Sequence, residues 1–155
     1  MSAQKMKTKQ KIRKSKPRVI KTRLADKNNA VLTVVGGDGK HCHISCEQCP
    51  WRVDQTGKFP AEAFRISANT AYDQSFHVFG CHMAGKDRPA TCAGFLLMNA
   101  VNNIGARLAA MRGDFNPNAI SDGGLELHES YKAMAIANGV SLDDSALKMC
   151  RSNVE

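Results

Sequence analysis

No apolar run in this chain approaches the roughly 18 residues that a membrane-crossing helix requires. The basic N-terminus is not followed by a secretory hydrophobic segment, so no signal peptide is expected. Residues 1–23 contain no acidic and no aromatic side chain. No internal repeat is visible. The common catalytic signatures are missing as well: there is no Gly-rich phosphate loop, no HExxH pair and no Ser nucleophile motif. The zinc-deaminase pattern, His-x-Glu upstream of Pro-Cys-x-x-Cys, is also absent. A catalytic zinc would need an open coordination position and a nearby carboxylate base. Glu47 is the obvious candidate for that base, and its place inside a short turn reads as an exposed loop residue. Catalysis, a membrane role and a small-molecule substrate are therefore not expected.

What is present is distributed unevenly. Of the 22 Lys and Arg residues, ten lie within residues 1–23: Lys5, Lys7, Lys9, Lys11, Arg13, Lys14, Lys16, Arg18, Lys21 and Arg23. The other 12 face 14 acidic residues, so the rest of the chain sits near −2 while the whole carries +8. The basicity belongs to the N-terminus. That segment is Lys-rich without an apolar helical stripe, unlike a mitochondrial presequence. Polar, basic and without periodicity, residues 1–27 are expected to be a disordered arm.

At 155 residues, the chain has room for one compact domain and a tail. The division expected is a basic tail over 1–27, a zinc-stabilised α+β domain over 28–113 and a helical extension over 114–155. Ala30–Val35 is a β-branched run ending in the turn signal Gly36–Gly39, so Lys40–Ser45 is expected to return as the second arm of a hairpin. Pro60 opens a helix expected to run to Ala71, with Ala63, Phe64 and Ser67 on one side. Phe76–Phe79 reads as a short strand. One long helix is expected over Ala93–Arg112, because Leu97, Val101, Ile104, Leu108 and Met111 repeat at helical spacing. Residues 113–124 are a linker, and two C-terminal helices are expected at Leu125–Asn138 and Leu142–Arg151.

Six cysteines in a chain with no export signal point to thiols kept reduced in the cytoplasm. Cys46-x-x-Cys49 has the spacing of a knuckle whose two sulfurs converge on one ion, and Pro50 follows directly. Cys81 and Cys92 supply a second, irregularly spaced pair, with Cys92 at a helix start. Together Cys46, Cys49, Cys81 and Cys92 are read as a closed zinc (Zn²⁺) site that supports folding and leaves no position for water. Buried reduced thiols and a redox pair are the competing readings. His82, Cys42 and His43 are read as supporting or alternative ligands. His77 and His128 read as ordinary histidines and Cys150 as a small apolar contact. Arg52, Lys58 or His82 would help to balance four thiolates. Trp51 either covers the site or is an exposed stacking residue; cover is the simpler reading.

The motifs CEQCPWR (46–52), GKFPAEAFR (57–65), FGCH (79–82) and CAGFL (92–96) occur in this order. As a set they resemble a family of uncharacterised zinc-type proteins of bacteriophages and prophages, a domain of unknown function (DUF6283-like), over roughly residues 42–110. The resemblance implies a small α+β fold, a phage or prophage setting and the ligand set Cys46, Cys49, Cys81 and Cys92. It implies no activity. The tail and the helices after Gly113 are expected to lie outside it.

Two roles follow. Ten cations in the N-terminal stretch can contact phosphates and release counterions, giving salt-sensitive nucleic-acid binding with little sequence preference. Alternatively, the zinc scaffold docks on a host protein, such as a polymerase or nuclease, as a regulator or inhibitor.

Overall fold

A computed structural model describes residues 15–151, and these form a mixed α/β structure with one two-stranded antiparallel sheet and four helices. Strand β1 is Ser15–Leu24 and strand β2 is Ala30–Gly37. The partner of the β-branched run thus precedes it in the chain, and the expected return over Lys40–Ser45 does not form. Turn chemistry explains the choice. The Asp26 carboxylate accepts the backbone N–H groups of Asn28 (2.8 Å) and Asn29 (2.7 Å), and the Ala25 N–H closes on the Asn29 carbonyl at 2.9 Å. This Asx turn satisfies the backbone locally and places Leu24 opposite Ala30 and Arg23 opposite Val31. Residues 15–24, assigned above to a disordered arm, are strand. The register slips between Val19 and Lys21, the signature of a bulge at Ile20.

Helix α1 (Ala61–Ser67) begins after Pro60 and continues as a 3-10 turn over Ala68–Ala71, close to expectation. Helix α2 is Ala93–Asn99 and helix α3 is Ile104–Met111. The single long helix is therefore broken, and asparagines break it. Asn103 stands in extended backbone (φ −110°, ψ 123°) and its side chain caps α3 by accepting the Ala106 N–H at 2.8 Å. Its amide donates to the His77 carbonyl at 2.7 Å. Asn99 and Asn103 both donate to the Thr70 carbonyl at 3.3 Å. Buried amides with tertiary partners outweigh helical continuity here. The predicted stripe fails with the helix: Val101 is 76% exposed and Met111 81%, whereas Phe95, Leu96 and Ala106 are buried.

Helix α4 is Tyr131–Ala137, capped by Ser130, whose hydroxyl accepts the Ala133 N–H at 3.0 Å. It is shorter than expected, because residues 126–128 run extended beside the knuckle instead. The last expected helix reduces to a 3-10 turn at Ser145–Leu147, capped by Asp144. This C-terminal part is not a separate extension. Tyr131, Met134, Ala135, Val140, Leu147 and Cys150 are buried in the same core as Trp51, Phe64 and Phe95. The Tyr131 hydroxyl donates to the Phe64 carbonyl, tying α4 to α1. Among the described residues, no helix is long and apolar enough to cross a membrane.

Candidate metal centre

The knuckle is a turn stapled from both sides. The Cys49 N–H donates to the Cys46 carbonyl (3.1 Å), and the Arg52 N–H to the Cys49 carbonyl (3.0 Å). The Arg52 guanidinium donates to the carbonyls of Cys46 and Glu47, each at 3.2 Å. It also grips Asp54 through two bonds, at 2.9 and 2.6 Å. That planar fork fixes the guanidinium across the turn. Behind the knuckle, His128 N–H donates to the Trp51 carbonyl at 2.9 Å and Val53 N–H to Glu126 at 3.0 Å. The C-terminal segment thus braces the motif. Trp51 is fully buried, its ring edge-on to Phe95 and Tyr131 at 6.5 and 6.0 Å. It is a core residue, not an exposed stacking residue.

The other thiols arrive on three extended segments lying side by side. Thr91 is central: it bridges His41 in parallel and Gly80 in antiparallel fashion. Cys42 N–H donates to the Thr91 carbonyl (2.9 Å), Cys81 N–H to Ala90 (2.7 Å) and Cys92 N–H to Phe79 (2.9 Å). The residue following each bridged position is a cysteine: Cys42, Cys81 and Cys92. The irregular spacing that obscured the second pair in the sequence is resolved by this pairing.

The result is a chain of neighbouring thiols. Cys49 Sγ and Cys92 Sγ stand 3.6 Å apart, close to the ~3.8 Å between sulfurs bound tetrahedrally at about 2.3 Å from zinc. Cys46 neighbours Cys49 and Cys81, and Cys42 neighbours Cys81, with Cys46 and Cys49 within electrostatic reach. All six cysteines are free thiols. Among the described residues, no group of three or more Cys, His, Asp or Glu side chains is placed so that it could hold a metal ion. The donor chemistry nevertheless fits a soft divalent ion: thiols of one type, half-buried or buried, with backbone N–H groups aimed at two of them. The Gln48 N–H favours the Cys46 thiolate and the Trp51 N–H the Cys49 thiolate.

Burial and neighbouring thiols oppose ionisation across the cluster. Burial, then the Cys81 thiol, pushes Cys42 up to about 12. The adjacent Cys49 thiol and burial push Cys46 up. At Cys49 the Cys46 thiol pulls downward, but Cys92 and burial outweigh it, and the group ends at about 12. Thiols crowded in a dry site resist ionisation unless a cation offsets the mutual repulsion.

The histidines read as supporting or alternative ligands have other neighbours. The His82 ring packs edge-on against Phe59 at 5.0 Å. His43 sits against His41 at 4.8 Å, and its carbonyl accepts the Ser121 N–H at 2.8 Å. Lys58 is exposed, and it is Arg52 that reaches the knuckle. Cys150 is buried against the Ala68 carbonyl. Gly94 was overlooked in the sequence. A Cβ there would stand 2.6 Å from Trp51 Cβ, 2.9 Å from its Cγ and 3.3 Å from Cys49 Sγ. The glycine of the Cys92-Ala93-Gly94 triplet is what lets α2 lie against the knuckle.

A family model described as a family of unknown function (DUF6283) matches residues 41–151, more than two-thirds of the chain. The chain belongs to this family. Its reach takes in the C-terminal segment that the motif resemblance left out, in accord with the shared core. DUF6283 membership also spans all five clustered thiols and stops short of the hairpin. No curated protein and no solved structure matches the chain.

Proposed function

We propose that this protein holds one structural zinc ion on its thiol cluster and associates with nucleic acid through its basic N-terminal arm. A phage or prophage setting and a cytoplasmic site of action belong to the same reading. The observation that supports the metal assignment is the Cys49–Cys92 sulfur pair at 3.6 Å, with Cys46 beside Cys49 and Cys81 and Cys42 beside Cys81. Four sulfurs fill a tetrahedral zinc and leave no position for water, so the role assigned is stabilisation, not catalysis. Zinc analysis of the purified full chain tests this. One equivalent per chain is expected, falling well below that in Cys49→Ser. Folded protein free of metal would overturn the assignment.

The nucleic-acid half rests on charge. Lys16, Arg18, Lys21 and Arg23 are exposed on β1, and none is in an ion pair among the described residues. Lys5, Lys7, Lys9, Lys11, Arg13 and Lys14 lie outside the described residues. Between the hairpin and the body runs a largely apolar groove of about 650 Å³; among the described residues its lining includes Arg23, Lys40 and Lys86 and no carboxylate. Phe76, 66% exposed, lies in its wall. An apolar groove with three cations and an exposed aromatic can take the bases and phosphates of a nucleic-acid strand. Deleting residues 1–23 would also remove the partner of β2. The informative comparison is instead full chain against deletion of 1–14, titrated with salt on single- and double-stranded oligonucleotides. The full chain is expected to bind with a steep salt slope that the deletion flattens. Identical curves, or retention of one stoichiometric host protein with no affinity for nucleic acid, would displace this half in favour of a partner-binding regulator.

A further inference from the structure

We infer that the groove between the hairpin and the body is a single-strand site in which Phe76 stacks an unpaired base, so that the chain prefers single-stranded to double-stranded nucleic acid. The inference rests on the nucleic-acid reading above and names the form of the ligand. The stacking platform is rigidly built. Ser75 bridges Asn103 in parallel fashion, and its carbonyl accepts the Ile104 N–H at 2.8 Å. On the other side of Phe76, the His77 carbonyl accepts from the Asn103 amide at 2.7 Å, and the His77 N–H donates to the Ser75 hydroxyl at 3.1 Å. Asn103 itself is fully buried. The backbone on both sides of Phe76 is thus tied to the body, while the ring stays exposed and lines the groove. An aromatic held in place but left uncovered has little freedom to lose when a base stacks on it.

The rest of the lining matches the other parts of an unpaired strand. Val31, Val78 and Pro89 offer apolar surface to base faces, and Arg23, Lys40 and Lys86 offer charge to phosphates. Arg23 stands opposite Val31, a half-buried position of β2, which puts it on the ribbon face turned to the groove. Lys40 is paired with Asp38 at 3.5 Å, whereas Arg23 and Lys86 are in no ion pair among the described residues. In a duplex the base faces cover one another, and only phosphates and groove edges are open. Phe76 and the apolar lining would then have nothing to cover. Size points the same way: about 650 Å³ is the room of a pocket for one drug-sized ligand, enough for a base or two and not for a double helix. Base faces and phosphates are common to DNA and RNA strands, so the site is assigned to that shared chemistry.

Fluorescence titration of the full chain tests this with labelled strands of about 12 nucleotides, within the ~4–16 that a single-strand site covers. The probes are oligo-dT, oligo-rU, a duplex, and an abasic strand with the same number of phosphates. At least one of the two base-bearing strands is expected to bind about 10-fold or more tighter than the duplex and the abasic strand, as stacking of one or two bases would give. Tighter dT would assign the site to DNA and tighter rU to RNA; either supports it. Phe76→Leu is expected to weaken binding of that strand by about 5-fold or more, the loss of one stacked base. The salt slope should be kept, because stacking releases no counterions, and Phe76→Trp should restore the affinity. An unchanged melting temperature in Phe76→Leu separates lost stacking from lost fold; if it falls, the abasic comparison on wild type decides. Equal affinity for base-bearing and abasic strands, or Phe76→Leu binding like wild type, overturns the inference and leaves association through the basic arm standing. Failure of every probe to bind at low salt would remove the nucleic-acid reading itself, a distinct outcome.

Discussion

Around Cys49 and Cys92 nearly every side chain is buried and constrained by several others, whereas nine of the ten residues of β1 are exposed. The first region gathers buried and half-buried thiols whose burial and crowding raise their proton affinity. The second spreads cations over β1, and neither strand of the ribbon carries an acidic residue. An isolated hairpin is marginally stable in water, and this one touches the body chiefly through β2 and α1. The site should therefore govern stability and the hairpin should govern association. Each prediction below attacks that division from one side.

The largest effect expected is that of metal removal. Structural zinc contributes on the order of 10 kcal/mol in small domains, comparable to the whole stability of a typical fold. Chelation is expected to unfold the body cooperatively, as is Cys49→Ser. Trp51, the only tryptophan, is 0% exposed, so its emission should shift to the red. Deleting residues 1–14 should leave the melting temperature unchanged. A chelated chain that keeps its blue-shifted emission and melting point would break the comparison at its root.

Next is Gly94→Ala. The new methyl would meet the Trp51 side chain at 2.6 Å, and neither the indole nor the knuckle can retreat from a packed core. Overpacking of this kind costs about 1–3 kcal/mol. Because Cys49 Sγ is also in the way at 3.3 Å, zinc affinity should fall with stability. A denaturation midpoint equal to wild type would show that α2 is not seated against the knuckle.

These two positions also show what was legible in the sequence. The CxxC spacing and the run of Pro50, Trp51 and Arg52 could be read directly, because a knuckle is a local structure. The companions of Cys81 could not, since the Thr91 bridges join residues about 50 and 11 positions apart in a ladder that no periodicity announces. Cys42, read only as a supporting or alternative ligand, arrives through the same Thr91 pairing. Leu97, Val101, Leu108 and Met111 matched a helical stripe well, and still lost to Asn99 and Asn103. A buried amide with a carbonyl to reach is invisible until the carbonyl of Thr70 is placed. The hairpin was half legible: the β-branched arm was read, but its basic partner looked like a tail. Alternating Lys and Arg on a ribbon exposed on both faces leaves no hydrophobic pattern to detect.

A smaller effect should appear with pH. His128 is buried, its Nε2 is 3.2 Å from the Thr56 hydroxyl, and burial lowers its pKa more than Glu126 raises it. The folded state therefore binds this proton less readily than the unfolded chain, whose histidines titrate near 6.5. Stability from this source is complete above that value and declines as pH falls through the window between the unfolded and folded pKa values. His128→Gln keeps a polar group near Thr56 and cannot titrate. Between pH 7.5 and 5.5, zinc-loaded wild type should lose more stability than the variant in urea melts. Parallel pH profiles would assign the acid sensitivity to the thiols alone.

The smallest expected change in stability tests the hairpin, and it should accompany a large change in binding. Replacing Lys16, Arg18, Lys21 and Arg23 together by Ala removes exposed charges that form no ion pair among the described residues. Surface changes of this kind usually fall within about ±0.5 kcal/mol each. The melting temperature should barely move, and relief of like-charge repulsion along β1 offsets any loss of strand packing by the side-chain stems. Phosphate contacts behave differently: each cation that releases a counterion contributes about 0.7 to the salt slope on single strands and about 0.9 on duplex DNA. If all four reach the backbone, the logarithmic slope should flatten by about 3 to 4 units while affinity at low salt drops steeply. Partial flattening would count how many of the four touch phosphate and would divide the work between β1 and residues 1–14. An unchanged slope with an unchanged melting temperature would assign the hairpin to neither role, and the body beyond residue 40 would then have to carry association as well as stability.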